Sequence, residues 1–475
     1  MLFPTVTFAI FFMIVLPVSW LLMPKPARWK LFMLAASYYF YGYWNWRFIL
    51  LLVVSTLGNQ LFARLIHRSD DDRLRRIFLG AAVAMNLGVL GYFKYYDFFV
   101  SSAQNMLRDV GISVAPDLVA VTLPVGISFF TFQALSYVID VYRRNFEPVR
   151  LLDFAVYLSF FPHLVAGPIV RAAEFLPQLR ERHDPRRVDA GRAFFLIAGG
   201  LFKKVVIANF LATSIVDNVF ASPGRHSGYE TLMAVYAYAV QIYADFSGYT
   251  DIAIGLALLL GFRFPQNFDA PYTARSLQDF WRRWHMTLSR WLRDYLYIPL
   301  GGNRRGRLLT YRNLMLTMVL GGLWHGAAWT FVVWGAIHGG VLAFEHWRHE
   351  ERIARGLPEP DDTLMRRVAD RFITFNIVCL AWVFFRADSF SNAGAVLSRV
   401  LFHWGGGAAL VTPWVLLAIA VGIASQYVPT RAIATAMSEF SRLSPVIQGV
   451  VLGFGLLFIN ALGPRGVAPF IYFRF

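Results

Sequence analysis

Cysteine is almost absent from this chain. Cys379 is the single one in 475 residues, and it lies inside an apolar run. That excludes an internal disulfide and a thiolate metal site, and it leaves a buried, inert thiol. Charge is also scarce, at 16% of residues, against about a quarter in soluble domains. No His, Asp or Glu spacing matches a metal site. No glycine-rich loop opens a helix in the manner of a phosphate cradle. There is no internal repeat, no low-complexity tail and no separate soluble domain; the polar stretch from Glu350 to Asp370 is too short to be one.

What is present is apolar. Hydrophobic residues make up 57% of the chain. They gather into runs such as Leu2 to Met23, Phe48 to Phe62 and Ile77 to Phe93. Nearly uncharged runs of this length read as membrane spans. The net charge of +16 would suggest nucleic acid in a soluble protein. Here Lys and Arg stand in short segments between apolar runs, as in cytoplasmic loops. Membrane lipid, and not nucleic acid, is therefore the expected surrounding. The first run lacks a basic n-region and a small-x-small cleavage site, so it reads as a retained span and not as a removed signal.

The basic loops thread the chain. Lys25, Arg28 and Lys30 place the N-terminus outside. An apolar pair turns near Trp44 to Arg47 and returns to Arg64, Arg68, Arg73, Arg75 and Arg76. Ile77 to Phe99 then exits, Ser101 to Asp117 lies outside, and Val119 to Val141 comes back. Leu151 to Val170 has basic residues at both ends, so one crossing cannot serve. Pro162, Gly167 and Pro168 make it a re-entrant hairpin, tolerated only where protein or a water-filled cavity surrounds it. Ala193 to Phe220 exits and Thr231 to Gly261 returns. Leu314 to His346 again has basic flanks and must cross an even number of times. Phe372 to Phe385, Pro413 to Tyr427 and Val446 to Leu462 complete the path. The reading is an all-α, polytopic membrane protein of one membrane-embedded domain, 1–475, containing an interfacial basic segment, 275–312.

Chemistry concentrates in that segment and just after it. Taken as a helix, Trp281 to Tyr295 puts Trp281, Trp284, His285, Leu288, Trp291, Leu292 and Tyr295 on one side. Arg282, Arg283, Arg290 and Arg293 fall on the other. Such a helix lies at an interface. Its arginines suit anionic lipid, and equally the phosphates of an anionic donor; the pattern alone favours lipid. His285 lies on the buried stripe, where a lone polar ring needs a partner.

His325, in Gly321-Gly322-Leu323-Trp324-His325-Gly326, is about 13 residues beyond Arg312, or roughly 20 Å of helix. The hydrocarbon core is about 30 Å thick. An ionisable group so deep is a candidate functional residue, and a neutral imidazole suits a general base. A structural histidine bonded to a neighbouring helix fits the residues as well. Asp245 and Asp251 lie within a span and read first as partners of basic residues. His163 lies in the re-entrant hairpin. His338 falls on a different helical face from His325.

At these residues the sequence resembles the membrane-bound O-acyltransferase family. Phe280-Trp281-Arg282-Arg283-Trp284-His285, continuing to Pro299-Leu300-Gly301-Gly302-Asn303, is similar to its signature, and Trp324-His325-Gly326 to its second one. Asp245-Phe246-Ser247-Gly248-Tyr249-Thr250-Asp251 and Phe161-Pro162-His163-Leu164 through Pro168 also match. The resemblance runs over nearly the whole chain and is nearest to the members that O-acetylate alginate or cellulose. It implies a ring of about eleven membrane helices, with re-entrant hairpins and interfacial helices around a central funnel. It implies His325 as the catalytic histidine and His285 as the second. Trp324, Trp284, Asp245, Asp251 and His163 would support the site or line a substrate tunnel, and Arg282, Arg283, Arg290 and Arg293 would meet the donor. It implies acetyl transfer from a cytoplasmic donor, acetyl-CoA, across a bacterial inner membrane to an exopolysaccharide. An extracytoplasmic partner of the SGNH-hydrolase type and the polysaccharide secretion machinery would take part. No permanently bound cofactor and no metal is implied. Peptidoglycan O-acetylation and teichoic acid D-alanylation are further relatives. A transporter would also use broken helices and buried polar groups, but it has no clear use for a Trp/Arg interfacial helix beside a deep histidine.

Overall fold

Helices begin where short polar residues cap them. Asp71 accepts from the Arg73 amide, Asp189 from the Arg192 amide and Thr363 from the Arg366 amide, each opening a long apolar helix. The computed structural model describes residues 1–111, 122–165 and 167–462. Among them every regular element is a helix. The expected start of the span at Val119 and the end of the outside stretch at Asp117 lie outside the described residues.

Among the described residues, five helices are long and apolar enough to cross a membrane: Arg47–Arg68, Asp72–Asp109, Ala190–Ala221, Leu364–Arg386 and Pro445–Leu462. A sixth is added if Pro413–Tyr427 and Arg431–Arg442, bent by 92°, form one broken span. The count of about eleven is not reached by this measure. Val6–Leu22 and Ile127–Tyr142 are apolar but shorter. Gly228–Leu259, Arg307–His325 and Trp329–Ala354 carry buried polar groups along their length.

The chain divides into two compact units. The first holds residues 1–188 and 256–264. Asn59, Asn86 and Gln60 are buried amides there whose hydrogen bonds are made to neighbouring elements, as burial demands. Asn59 and Asn86 exchange hydrogen bonds of 3.2 and 2.7 Å between neighbouring helices. Gln60 donates to the Val149 carbonyl at 2.6 Å and accepts from the Tyr137 hydroxyl at 2.9 Å. The expected break in the re-entrant stretch is present. Leu151–Ser159 ends at Phe160, and a four-residue turn, Phe161–Leu164, follows.

The second unit holds residues 189–255 and 265–475. Its centre is a helical hairpin, Arg307–His325 and Trp329–Ala354. Three glycines show why the two helices run antiparallel and so close. A Cβ on Gly322 would lie 2.2 Å from the Phe331 carbonyl oxygen, one on Gly335 2.3 Å from that of Met318, and one on Gly339 3.0 Å from the Met315 Cα. Sequence numbers fall on one helix as they rise on the other, and only glycine lets the backbones meet. Helix Ala190–Ala221 is widened by two π turns, Phe202–Ala208 and Ala212–Val216. The first carries Lys203 and Lys204, which pair with Asp251 and Asp245 of helix Gly228–Leu259. A buried charge needs such a partner.

Candidate active site

The stretch from Trp281 to Tyr295 is not one continuous helix. It runs through two short helices, Leu277–Arg283 and Met286–Leu292, then a π turn, Arg293–Tyr297. The first is well started. Ser276 caps the Asp279 amide at 3.0 Å, and Glu345, from the hairpin, accepts from the Leu277 and Gln278 amides at 2.7 and 3.1 Å. These contacts satisfy amides that a helix start leaves open. Trp284 then turns to extended backbone, and His285 adopts the left-handed conformation at φ 42°. That conformation is disfavoured away from glycine. The break is braced from outside: the Met286 amide donates to the Asn267 carbonyl and the Asp269 amide to the Arg283 carbonyl, both at 2.9 Å. Periodicity at 100° fits either arrangement, because both keep Trp281, Trp284, His285, Leu288, Trp291, Leu292 and Tyr295 buried.

The break and the hairpin turn bring two histidines together. His325 is the last residue of its helix, directly before the turn at Gly326. Its ring centroid is 6.5 Å from that of His285. His285 and His325 are 0% and 2% exposed. Trp324 stands beside both, at 5.0 Å from His325 and 6.0 Å from His285. Trp334 and Phe385 meet His325 edge-on at 5.1 and 5.3 Å. Phe246 meets His285 edge-on at 4.7 Å. The two imidazoles thus share an aromatic enclosure, in which a proton or a polar intermediate is shielded from water.

The other expected residues fall out as follows. Trp284 packs on Phe268 at 5.0 Å and on Trp382 at 5.1 Å, one layer behind the histidines. Asp245 and Asp251 are held by the two lysines and serve the helix pair. His163 belongs to the first unit. Its Nε2 donates to the Tyr157 carbonyl at 2.8 Å, among Tyr157, Phe160, Phe175 and Phe264. Of the four arginines, Arg283 is engaged by Asp279 and Asp269, and Arg293 by Asp294. Arg282 is exposed. No group of three or more His, Cys, Asp or Glu able to hold a metal occurs among the described residues.

Sequence reasoning missed two groups here, Asn267 and Trp334, and it set His338 aside on a helical face other than that of His325. Asn267 Oδ1 lies 3.2 Å from His285 Nδ1 and accepts from Thr287 through its amide at 3.2 Å and its hydroxyl at 2.9 Å. Trp334 bridges the histidines of the hairpin, with His338 4.7 Å from it on the side away from His325. His338 Nδ1 accepts from the Trp281 indole at 3.3 Å. None of these positions has a periodicity that marks it; they meet only through the hairpin and the break.

Known proteins are similar to this chain in sequence. The sequence model of the membrane-bound O-acyltransferase family matches residues 89–348, taking in parts of both compact units. A probable alginate O-acetylase of Pseudomonas aeruginosa is 42% identical over 379 residues, covering 79% of this chain and 70% of that protein. A peptidoglycan O-acetyltransferase of Helicobacter pylori is 38% identical over 402 residues, covering 78% and 73%. A teichoic acid D-alanyltransferase of Bacillus subtilis is 26% identical over 287 residues, covering 56% and 69%.

Proposed function

The chain belongs to the membrane-bound O-acyltransferase family, and from that premise we propose that it moves an acetyl group from acetyl-CoA at the cytoplasmic face of a bacterial inner membrane toward an extracytoplasmic polysaccharide. The observation that carries this reading is the pair of wholly enclosed imidazoles, 6.5 Å apart between ring centroids. They sit where two broken helical segments meet.

The step balances with these residues alone. The acceptor hydroxyl attacks the thioester carbonyl, the new C–O bond forms and the C–S bond breaks. His325 takes the hydroxyl proton and returns it to the departing thiolate. A variant of the same step places the acyl group on His325 first and transfers it second. His285 faces the same space and stabilises or relays the proton. Arg282 would meet the anionic part of the donor, and Trp324 would close the space between the rings.

An exopolysaccharide of the alginate or cellulose kind is the proposed acceptor, because a probable alginate O-acetylase is 42% identical over 79% of the chain. An SGNH-type partner outside the membrane would complete the delivery, working with the polysaccharide secretion machinery. Peptidoglycan is the second reading, supported by the relative at 38% identity. The deciding experiment expresses the wild type, His325→Ala and His285→Ala in membranes at matched levels. It follows radiolabelled acetyl from acetyl-CoA into each polymer. Transfer by the wild type and its loss in His325→Ala supports the reading. Undiminished transfer by His325→Ala overturns the catalytic assignment, and label in peptidoglycan alone replaces the acceptor.

A further inference from the structure

The carboxamide of Asn267 lies against His285, 1% exposed, and its orientation is fixed by chemistry. The Thr287 main-chain N–H can only donate, and it points at one terminal atom of Asn267 at 3.2 Å. That atom must therefore be the oxygen, Oδ1, and not the amide nitrogen. The same oxygen lies 3.2 Å from His285 Nδ1. An oxygen with no hydrogen accepts, so Nδ1 must carry the proton. In a neutral imidazole the lone pair then belongs to Nε2. His285 Nε2 is buried and has no hydrogen-bond partner among the described residues.

From this we infer that Asn267 is the positioning residue of the acyl transfer: its Oδ1 holds His285 in the Nδ1–H form and leaves Nε2 as the proton acceptor within the shared enclosure. The inference rests on the acyl-transfer reading above. The same residue also fixes where the ring stands. Its main-chain carbonyl accepts from Met286, the residue after His285. One residue thus holds the backbone break by its carbonyl and the ring by its side chain.

Among the described residues that touch the His285 ring, none carries a fixed charge. From the hairpin, His325 is the titratable ring that faces it. From helix Gly228–Leu259, Phe246 touches it, while the adjoining Asp245 is occupied by Lys204. From the extended segment before it come Asn267 and Phe268.

The test uses the full-length protein in nanodiscs, with acetyl-CoA and acceptor polymer for rates and 15N-histidine labelling for the ring state. The His285 signal is assigned by its disappearance in His285→Gln. The wild type is expected to show His285 with its proton on Nδ1. Asn267→Ala should lose that state and lower kcat about 10- to 100-fold, with KM for acetyl-CoA unchanged and the melting temperature followed separately. Asn267→Asp keeps an acceptor at the same place, so the Nδ1–H state and most of the rate should return. The added carboxylate should also move the acid limb of the pH–rate profile up by about one unit or more. A purely structural asparagine would leave that limb in place. An Nε2–H form in the wild type, wild-type kcat in Asn267→Ala, or an unmoved limb in Asn267→Asp overturns the inference. If the wild type transfers no acetyl group yet shows the Nδ1–H form, and Asn267→Ala loses it, the acyl-transfer reading falls and the positioning role stands.

Discussion

The protein twice buries a histidine at a broken helical segment, and the two sites differ in what the ring touches. In the first unit, His163 gives its Nε2 proton to the Tyr157 carbonyl, six residues before it, inside a cage of Phe160, Phe175 and Phe264. The ring closes a loop of its own segment. In the second unit, His285 and His325 come from different elements, and their rings face one another. Burial, aromatic surroundings and a proline or glycine nearby are common to both. What separates them is whether the histidine is bonded to its own neighbouring backbone or opposed to a second proton carrier.

The largest effect that tests this contrast is at His325. His325→Ala should reduce acetyl transfer by roughly 10²- to 10⁴-fold with membrane levels unchanged. An equal loss in His163→Gln, at equal membrane level, would erase the distinction. Next is Lys204→Ala, which leaves Asp245 buried without its cation behind Phe246 and His285. Its stability should fall by about 3–5 kcal/mol. The double substitution Lys204→Met with Asp245→Leu should recover most of it, as thermal melting in detergent will read.

Smaller effects come from the glycines beside each histidine. Gly322→Ala sets a methyl against the Phe331 carbonyl oxygen at 2.2 Å, and Gly167→Ala sets one against the His163 Cα at 2.5 Å. Each should cost about 1–3 kcal/mol of stability. Only Gly322→Ala should also lower kcat in the protein that remains folded, because it displaces the turn that carries His325. The smallest is His163→Gln. Its amide still reaches the Tyr157 carbonyl, so stability should change by about 1 kcal/mol, and transfer per folded molecule should stay within about twofold of the wild type.

The spans expected at Phe48 to Phe62, Ile77 to Phe99, Ala193 to Phe220, Phe372 to Phe385 and Val446 to Leu462 were legible in the sequence, because an uncharged run of that length has few other uses. Trp44 to Arg47 was readable as a turn, and the structure places the gap between Pro26–Gly42 and Arg47–Arg68 there. His325 stood out because an ionisable ring between glycines in an apolar run is conspicuous. His285 was legible as a buried residue but not as a break. Its left-handed backbone is imposed by Asn267 and Asp269, which the local pattern does not contain. Asn267 itself lies in an irregular stretch with no period to read, and it matters only through a tertiary contact. Trp334 was hidden for a related reason: the return of the hairpin, set by Gly322, Gly335 and Gly339, decides which of its faces meets His325.

The two lysine–aspartate pairs also constrain how the protein is made. Lys204 and Asp245 are 41 residues apart in the chain. While Ala190–Ala221 leaves the ribosome, its lysines have no counter-ion, and lipid rejects them. At about 5–20 residues per second the aspartates follow roughly 2–8 s later. Entry of the two helices into the bilayer as a pair would remove the cost of carrying the lysines into lipid without their aspartates.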